Sequence, residues 1–174
     1  MIISTNTPSE TVAISTLGNV LKNFITCEII KAPVNLAAMP KDDFLAITTK
    51  SLRALNKPLD SHNELSLSRV IYSSYELKVQ LDFYGAAAFG NALIVITALR
   101  NEMGFSLFEG AGNNVQTLYA SDAQKLPIVT DEQQYLERWM IEAVLQINST
   151  IAFLEDTAIV TAINLTEIDT TYAP

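Results

Sequence analysis

One histidine, one cysteine and three adjacent pairs of acids are what this chain offers for chemistry. His62 sits in Asp60-Ser61-His62-Asn63, a polar stretch. A serine hydrolase would need that imidazole as its base, but no nucleophile-elbow pattern accompanies it. Cys27 falls in an expected strand and reads as a small buried hydrophobe rather than a nucleophile paired with His62. One Cys and one His cannot supply the three or four soft ligands of a zinc site. Asp42-Asp43, Asp131-Glu132 and Glu155-Asp156 lack the spacing of a calcium loop and read as solvated acids. Gly110-Ala111-Gly112-Asn113-Asn114 lacks the third glycine of a dinucleotide fingerprint and the Gly-Lys-Ser/Thr of a P-loop, so it reads as a turn. Tyr135 and Trp139 have no cations around them to make a base-stacking platform, and packing explains them better. No catalytic, cofactor or metal residue is assigned.

The elements that position these residues are legible in the periodicity. Thr7-Pro8-Ser9-Glu10 reads as a helix start, with Thr7 as N-cap and Glu10 closing a capping box. Ala13, Leu17, Leu21 and Phe24 follow as its apolar face, interrupted by Gly18. Cys27–Lys31 and Phe44–Thr49 read as short strands. Ala32–Asp43, with Pro33 and Pro40, and Ser51–Glu64 read as loops, the second as a mobile flap. Over Arg69–Tyr84 the residues Leu77, Val79, Leu81 and Phe83 alternate with Glu76, Lys78, Gln80 and Asp82, the period of a half-buried strand. Ala86–Glu102 is expected to be a helix with Phe89, Ala92, Leu93, Ile96 and Leu99 as its core stripe and Gly104 as C-cap. Ile94, Val95 and Ala98 make it apolar nearly all round, so a second cover is required, and a neighbouring subunit is one source. Phe105–Thr130 reads as irregular. Glu137–Ile147 alternates again, with Trp139, Ile141, Ala143, Leu145 and Ile147 on one side, and Ala158–Glu167 reads as a last strand. The expected class is α+β, a mixed or antiparallel sheet covered by two main helices, in one domain spanning residues 1–174.

Composition narrows the function classes. Hydrophobic residues make up 49% of the chain and charged residues 17%, which is rich for a monomer and points to subunit interfaces. A net charge of −8 gives no footprint for holding nucleic acid. Met1–Pro8 lacks a basic region followed by an apolar stretch and is not read as a signal peptide, and no segment is long enough to span a bilayer. The expectation is a protein made and used in a cytoplasm, with no membrane partner.

Several of these stretches also match a family. Tyr75-Glu76-Leu77-Lys78-Val79-Gln80-Leu81-Asp82-Phe83-Tyr84-Gly85 resembles a characteristic strand of phage neck and tail terminator proteins. Leu118-Tyr119-Ala120-Ser121-Asp122, Leu126-Pro127-Ile128-Val129 and Glu132 to Trp139 are similar to the family's most recognisable region, Ile168 to Pro174 to its tail and Met39 to Phe44 to an earlier segment. The resemblance runs in order from about residue 39 to the end of the sequence. It implies a structural virion protein without catalytic activity. Such a protein caps the head-proximal end of the tail tube, ends its polymerisation and docks the neck, and DNA passes through its lumen. The implied partners are copies of itself, commonly as a hexamer, the tail tube protein and a neck, connector or head-completion protein, with the sheath protein as a further candidate.

A ring needs heterologous contacts. Interface candidates are Phe105, Leu107 and Phe108 as one apolar cluster, with ordinary core as the alternative, and Leu118, Tyr119, Gln134, Tyr135 and Arg138. Arg138 lies beside Glu137 and Glu142 and reads first as an intrasubunit or solvated pair, with an ion pair between subunits as the alternative. Asp42, Asp43, Asp131 and Glu132 are candidates for an acidic lumen. The competing readings are a head-completion or neck adaptor protein, a small enzyme of unknown class, and a monomeric binding module.

Overall fold

The computed structural model describes residues 2–32, 40, 42–63, 68–126, 128–129 and 135–154. In chain order the elements are β1 (Ile2–Asn6), α1 (Glu10–Leu21), β2 (Glu28–Ala32), β3 (Phe44–Ala54), β4 (Leu59–Asn63), β5 (Ser68–Tyr84), α2 (Ala88–Leu99), α3 (Glu102–Ala111), β6 (Val115–Ala120), β7 (Gln124–Lys125), β8 (Ile128–Val129), β9 (Tyr135–Leu136) and β10 (Arg138–Leu154). The fold is α+β. The expected strand Ala158–Glu167 lies outside the described residues.

The two 17-residue strands β5 and β10 form the spine, antiparallel along their whole length. Their register sets Trp139 opposite Phe83, Ile141 opposite Leu81, Ala143 opposite Val79 and Leu145 opposite Leu77. Two alternating sequences therefore stack their apolar rows on one face, where each buried residue supports its cross-strand neighbour. Both spine strands are paired on their other edges as well. β3 and β4 lie end to end along β5, while β7, β6 and β1 lie end to end along β10. β2 adds a parallel edge strand to β3.

Among the described residues three helices cover the apolar face, one more than expected. Ala13, Leu17 and Leu21 of α1, Ala88, Ala92, Val95 and Leu99 of α2, and Phe108 of α3 share a core with Leu45, Ile47, Leu81, Phe83, Ile141 and Leu145. The cover is shorter than the sheet. Seventeen extended residues span about 55 Å, whereas the 12-residue α2 spans about 18 Å. Among the described residues, no helix lies over the end of the sheet built from β1, β4 and the matching ends of β5 and β10. On the opposite face a small cluster of Phe44, Ala46 and Tyr84 gathers Ile30, Ala32 and Leu136, with the Phe44 and Tyr84 rings stacked at 4.5 Å.

Four expectations need correction. The N-cap of α1 is Ser9, whose Oγ accepts from the Val12 N–H at 3.2 Å. Thr7 instead bonds the Ser149 hydroxyl at 2.6 Å, which ties the chain to β10. Glu10 closes no capping box. It pairs with Lys31 at 3.1 Å and accepts from the Thr49 hydroxyl, contacts that hold its carboxyl below the ordinary value. Ser9→Ala is therefore expected to cost about 1 kcal/mol and Ser9→Gly only a few tenths, read from urea melts.

The second correction concerns Ser51–Glu64. This segment is not a flap: β3 runs on to Ala54, and β4 resumes pairing with β5 at Leu59. The break around Pro58 is bridged by Asn56, whose Oδ1 accepts from the Ser74 N–H at 3.0 Å where a strand would have supplied a carbonyl.

Third, regular elements follow from Glu102 where irregular chain was expected, among the described residues of 105–130. Asn101 caps a new helix, its Oδ1 accepting from the Met103 N–H at 2.9 Å, and Gly112 closes that helix in the left-handed conformation at φ 65°. Gly104, expected as a C-cap, sits inside α3. β6 and β7 follow where irregular chain was expected, and β6 lacks a clean alternation because its register shifts against Val144 and Leu145.

Fourth, the buried stripe of α2 is Ala88, Ala92, Val95, Ile96, Ala98 and Leu99, so Phe89 and Leu93 turn outward.

Candidate assembly interface

The outward side of α2 is the most distinctive surface of the subunit. No charged residue occurs between Ala88 and Leu99. Phe89, Leu93 and Ile94 are each close to half exposed, and Met103 at the start of α3 is 63% exposed. Between them runs an apolar groove of about 420 Å³ floored by Phe24, Ala98 and Thr97. The stripe is anchored at one end: Phe89 packs on Trp139 at 5.0 Å between ring centroids. Trp139 in turn donates its Nε1–H to Glu137 at 2.9 Å and lies under Lys125. Contiguous exposed apolar surface of this kind marks a contact surface.

A second apolar depression, about 460 Å³, opens between the start of α1 and the sheet. Pro8, Leu52, Tyr75, Leu77, Ile147 and Ile151 line it. All but Pro8 are on the face that the helices cover further along.

The reverse face of the sheet is polar and cross-linked. Arg53 pairs with Glu76 at 3.2 Å, and Lys78 with Glu142 at 3.3 Å. Deeper in, Arg138 donates from both Nε and Nη2 to Asp82 Oδ1, at 3.0 and 2.8 Å. Asp82 Oδ2 accepts from Gln80 Nε2 at 2.6 Å. Asp82 is 4% exposed. The Arg138 guanidinium also lies over the Tyr84 ring at 5.7 Å, and burial pushes the Tyr84 phenol up.

The candidate residues distribute unevenly over this frame. Phe105 is exposed and adjoins Met103 in sequence on α3, Leu107 is half-buried against the core, and Phe108 is spent inside the core at 1% exposure. The three do not form one cluster. Leu118 and Tyr119 stand exposed on β6, where Tyr119 stacks on Arg100, itself fixed by Asp122 at 2.8 Å and the Ala120 carbonyl. Arg138 is engaged within the subunit by Asp82, while Glu137 and Glu142 pair with Lys125 and Lys78. Tyr135 lies in β9, backbone-paired with Val129. Gln134, Asp131 and Glu132 lie outside the described residues. Asp42 is exposed. Asp43 turns to the backbone after β5: its Oδ1 accepts from the Ala87 N–H at 3.3 Å, and it occupies the space a Cβ would need at Gly85, where φ is +99°.

Sequence reasoning missed Met103, because α3 was not expected, and the burial of Asp82, which alternation alone placed on a wet face. The exposed fraction of α2 was foreseeable in kind but not in phase. Among the described residues, no group of three or more His, Cys, Asp or Glu could hold a metal ion. Cys27 is half-buried, and burial raises its thiol above the ordinary value.

A search of curated proteins finds no relative that matches the chain. A family model described as phage neck terminator protein matches residues 15–173. That match takes in α1 from Ser15 onward, the spine strands β5 and β10 and the whole outward face of α2, and the chain belongs to the phage neck terminator family, structural proteins of the virion's neck and tail.

Proposed function

We propose that this protein is the subunit of a ring, a hexamer by the family pattern, that caps the head-proximal end of the tail tube. The ring ends tube polymerisation, presents a docking face to the connector or head-completion protein, and lets DNA pass through its lumen without chemistry on it. The observation that carries this reading is the uncharged, outward-facing stripe of α2 with Met103 beside it. A subunit that worked alone would leave this surface in water. Copies in a ring would cover it. The charge agrees with a conduit, since six copies of −8 amount to about −48 and an acidic wall does not retain DNA.

Deleting the gene in the phage tests the role. The expected result is tails of uncontrolled length that fail to join heads, with normal length restored by the wild-type protein supplied in trans. Headless tails of normal length would overturn tube capping and favour the adaptor reading.

A further inference from the structure

Strand β1 is fastened to the sheet by backbone more than by side chains. Ser4, Thr5 and Asn6 are all exposed, and none of the three belongs to either apolar cluster. Among the described residues the only strand beside β1 is β10, through the pairs Ser4–Ala152, Thr5–Ile151 and Asn6–Thr150, and the register slips between Ile2 and Ser4. Just past the strand, the Thr7 hydroxyl bonds that of Ser149 at 2.6 Å.

The neighbouring elements do not depend on this ladder. Helix α1 carries its own cap, since Ser9 Oγ accepts from the Val12 N–H. β10 is held over the same residues from its other side, with Thr150 opposite Tyr72 and Phe153 opposite Arg69 on β5. Lifting β1 away would therefore leave helix and spine standing. A segment held by a short, exposed ladder lies at the low end of local stability.

We propose that β1 is a releasable guard strand, which covers the β10 edge in the free subunit and leaves it when the subunit joins the tail. This rests on the tube-capping reading above. Release would have two consequences at one place. The backbone groups of residues 150–153 that face β1 would lose their partners, and a bared strand edge takes up another strand. Thr7 and Pro8 would move with β1, and both line the apolar depression beside Ile147 and Ile151. One motion thus bares a strand edge and widens the depression next to it. The kind of partner that fits the bared edge is an extended segment of the assembled particle, which restores the lost backbone bonds. While β1 is docked, a free copy does not offer this edge, so copies in solution do not pair through it. β1 also lies outside the residues 15–173 that match the family.

Full-length protein tests the proposal by two measurements. In the free subunit, the amides of Thr150–Phe153 that point at β1 are expected to exchange with solvent at least about 100-fold faster than those of Ile141–Leu145 that point at β5, because the first set opens with β1 while the spine stays closed. The second measurement locks the strand with Ser4→Cys and Ala152→Cys. Directly opposite residues of an antiparallel pair lie about 4.5–5.5 Å apart at Cα, within reach of a disulfide. Oxidised, this variant is expected to lose capping of purified tail tubes at least tenfold. Reduced, it is expected to cap like the wild type, so the same chain controls for folding. Deleting residues 2–6 is expected to leave the melt nearly unchanged, keep tube capping and make the free protein self-associate. A locked variant that caps as well as its reduced form would overturn the guard and leave the capping reading standing. So would equal protection of the two sets of amides, or a deletion variant that folds but no longer caps, which would make β1 a contact in its own right. Wild-type protein that caps no tubes would overturn both readings.

Discussion

Replacing Asp82 with alanine is expected to destabilise the subunit by about 3 kcal/mol. The carboxylate is 4% exposed and accepts both guanidinium bonds on one oxygen and the Gln80 amide on the other. Its removal leaves Arg138 charged and largely enclosed, with a side chain 21% exposed and Tyr84 beneath it. Breaking a buried pair from one side costs about 3–5 kcal/mol, and the remaining exposure of Arg138 sets the lower end. With a urea slope of about 1–3 kcal/mol per molar, the midpoint should fall by roughly 1–3 M. The double replacement Asp82→Leu with Arg138→Met is expected to recover most of the loss, because it removes both charges and keeps the volume. A single-variant loss under about 1 kcal/mol would mean that water reaches the pair, as in surface ion pairs. The contrast with Lys78–Glu142 is built in. Both of its side chains are about 40% exposed, so Glu142→Ala should cost far less.

The sequence was most readable where one local rule acts alone. The period-two pattern of Leu77, Val79, Leu81 and Phe83, and of Ile141, Ala143, Leu145 and Ile147, located both spine strands, because a half-buried strand leaves no other arrangement. It did not show that both strands continue to 17 residues. Past Tyr75 and Ile147 neither face is fully buried, so residues such as Ser73, Ser74, Asn148 and Ser149 carry no alternation. The segment 51–63 was misread for the same reason. Its strands lie on an open edge, and Pro58 and Asn56 look like loop residues although Asn56 stands in for the missing ladder partner. In α2 the apolar residues were plain but their phase was not, since a helix apolar on all sides has no periodicity to read. The candidate interface follows from that same excess. Family likeness located the chain in the virion's neck, but only the phase of α2 showed which apolar side chains stay in water.

The second large effect concerns Gly104, where the sign of the change is the test. Alanine in a helix interior normally stabilises relative to glycine by about 0.5–1 kcal/mol, because glycine loses more backbone freedom on folding. At Gly110, in the same helix, an added Cβ would meet nothing within 4 Å. Gly110→Ala is therefore expected to raise the urea midpoint. At Gly104 the added Cβ would come within 2.1 Å of the Ala98 carbonyl oxygen and 2.9 Å of its carbon. These are backbone atoms at the end of α2, so no side chain can swing aside. The helix α3 would have to lift, and it carries Phe108, one of the largest fully buried side chains. Gly104→Ala is expected to cost about 3 kcal/mol, the upper end of overpacking in a packed interior. Because α3 also carries Met103, a shift large enough to admit the methyl group would displace part of the proposed contact surface. Ring formation should then fall even below the melting temperature. If alanine stabilised equally at both positions, α3 would not be seated on the end of α2, and Met103 would not stand beside the α2 stripe.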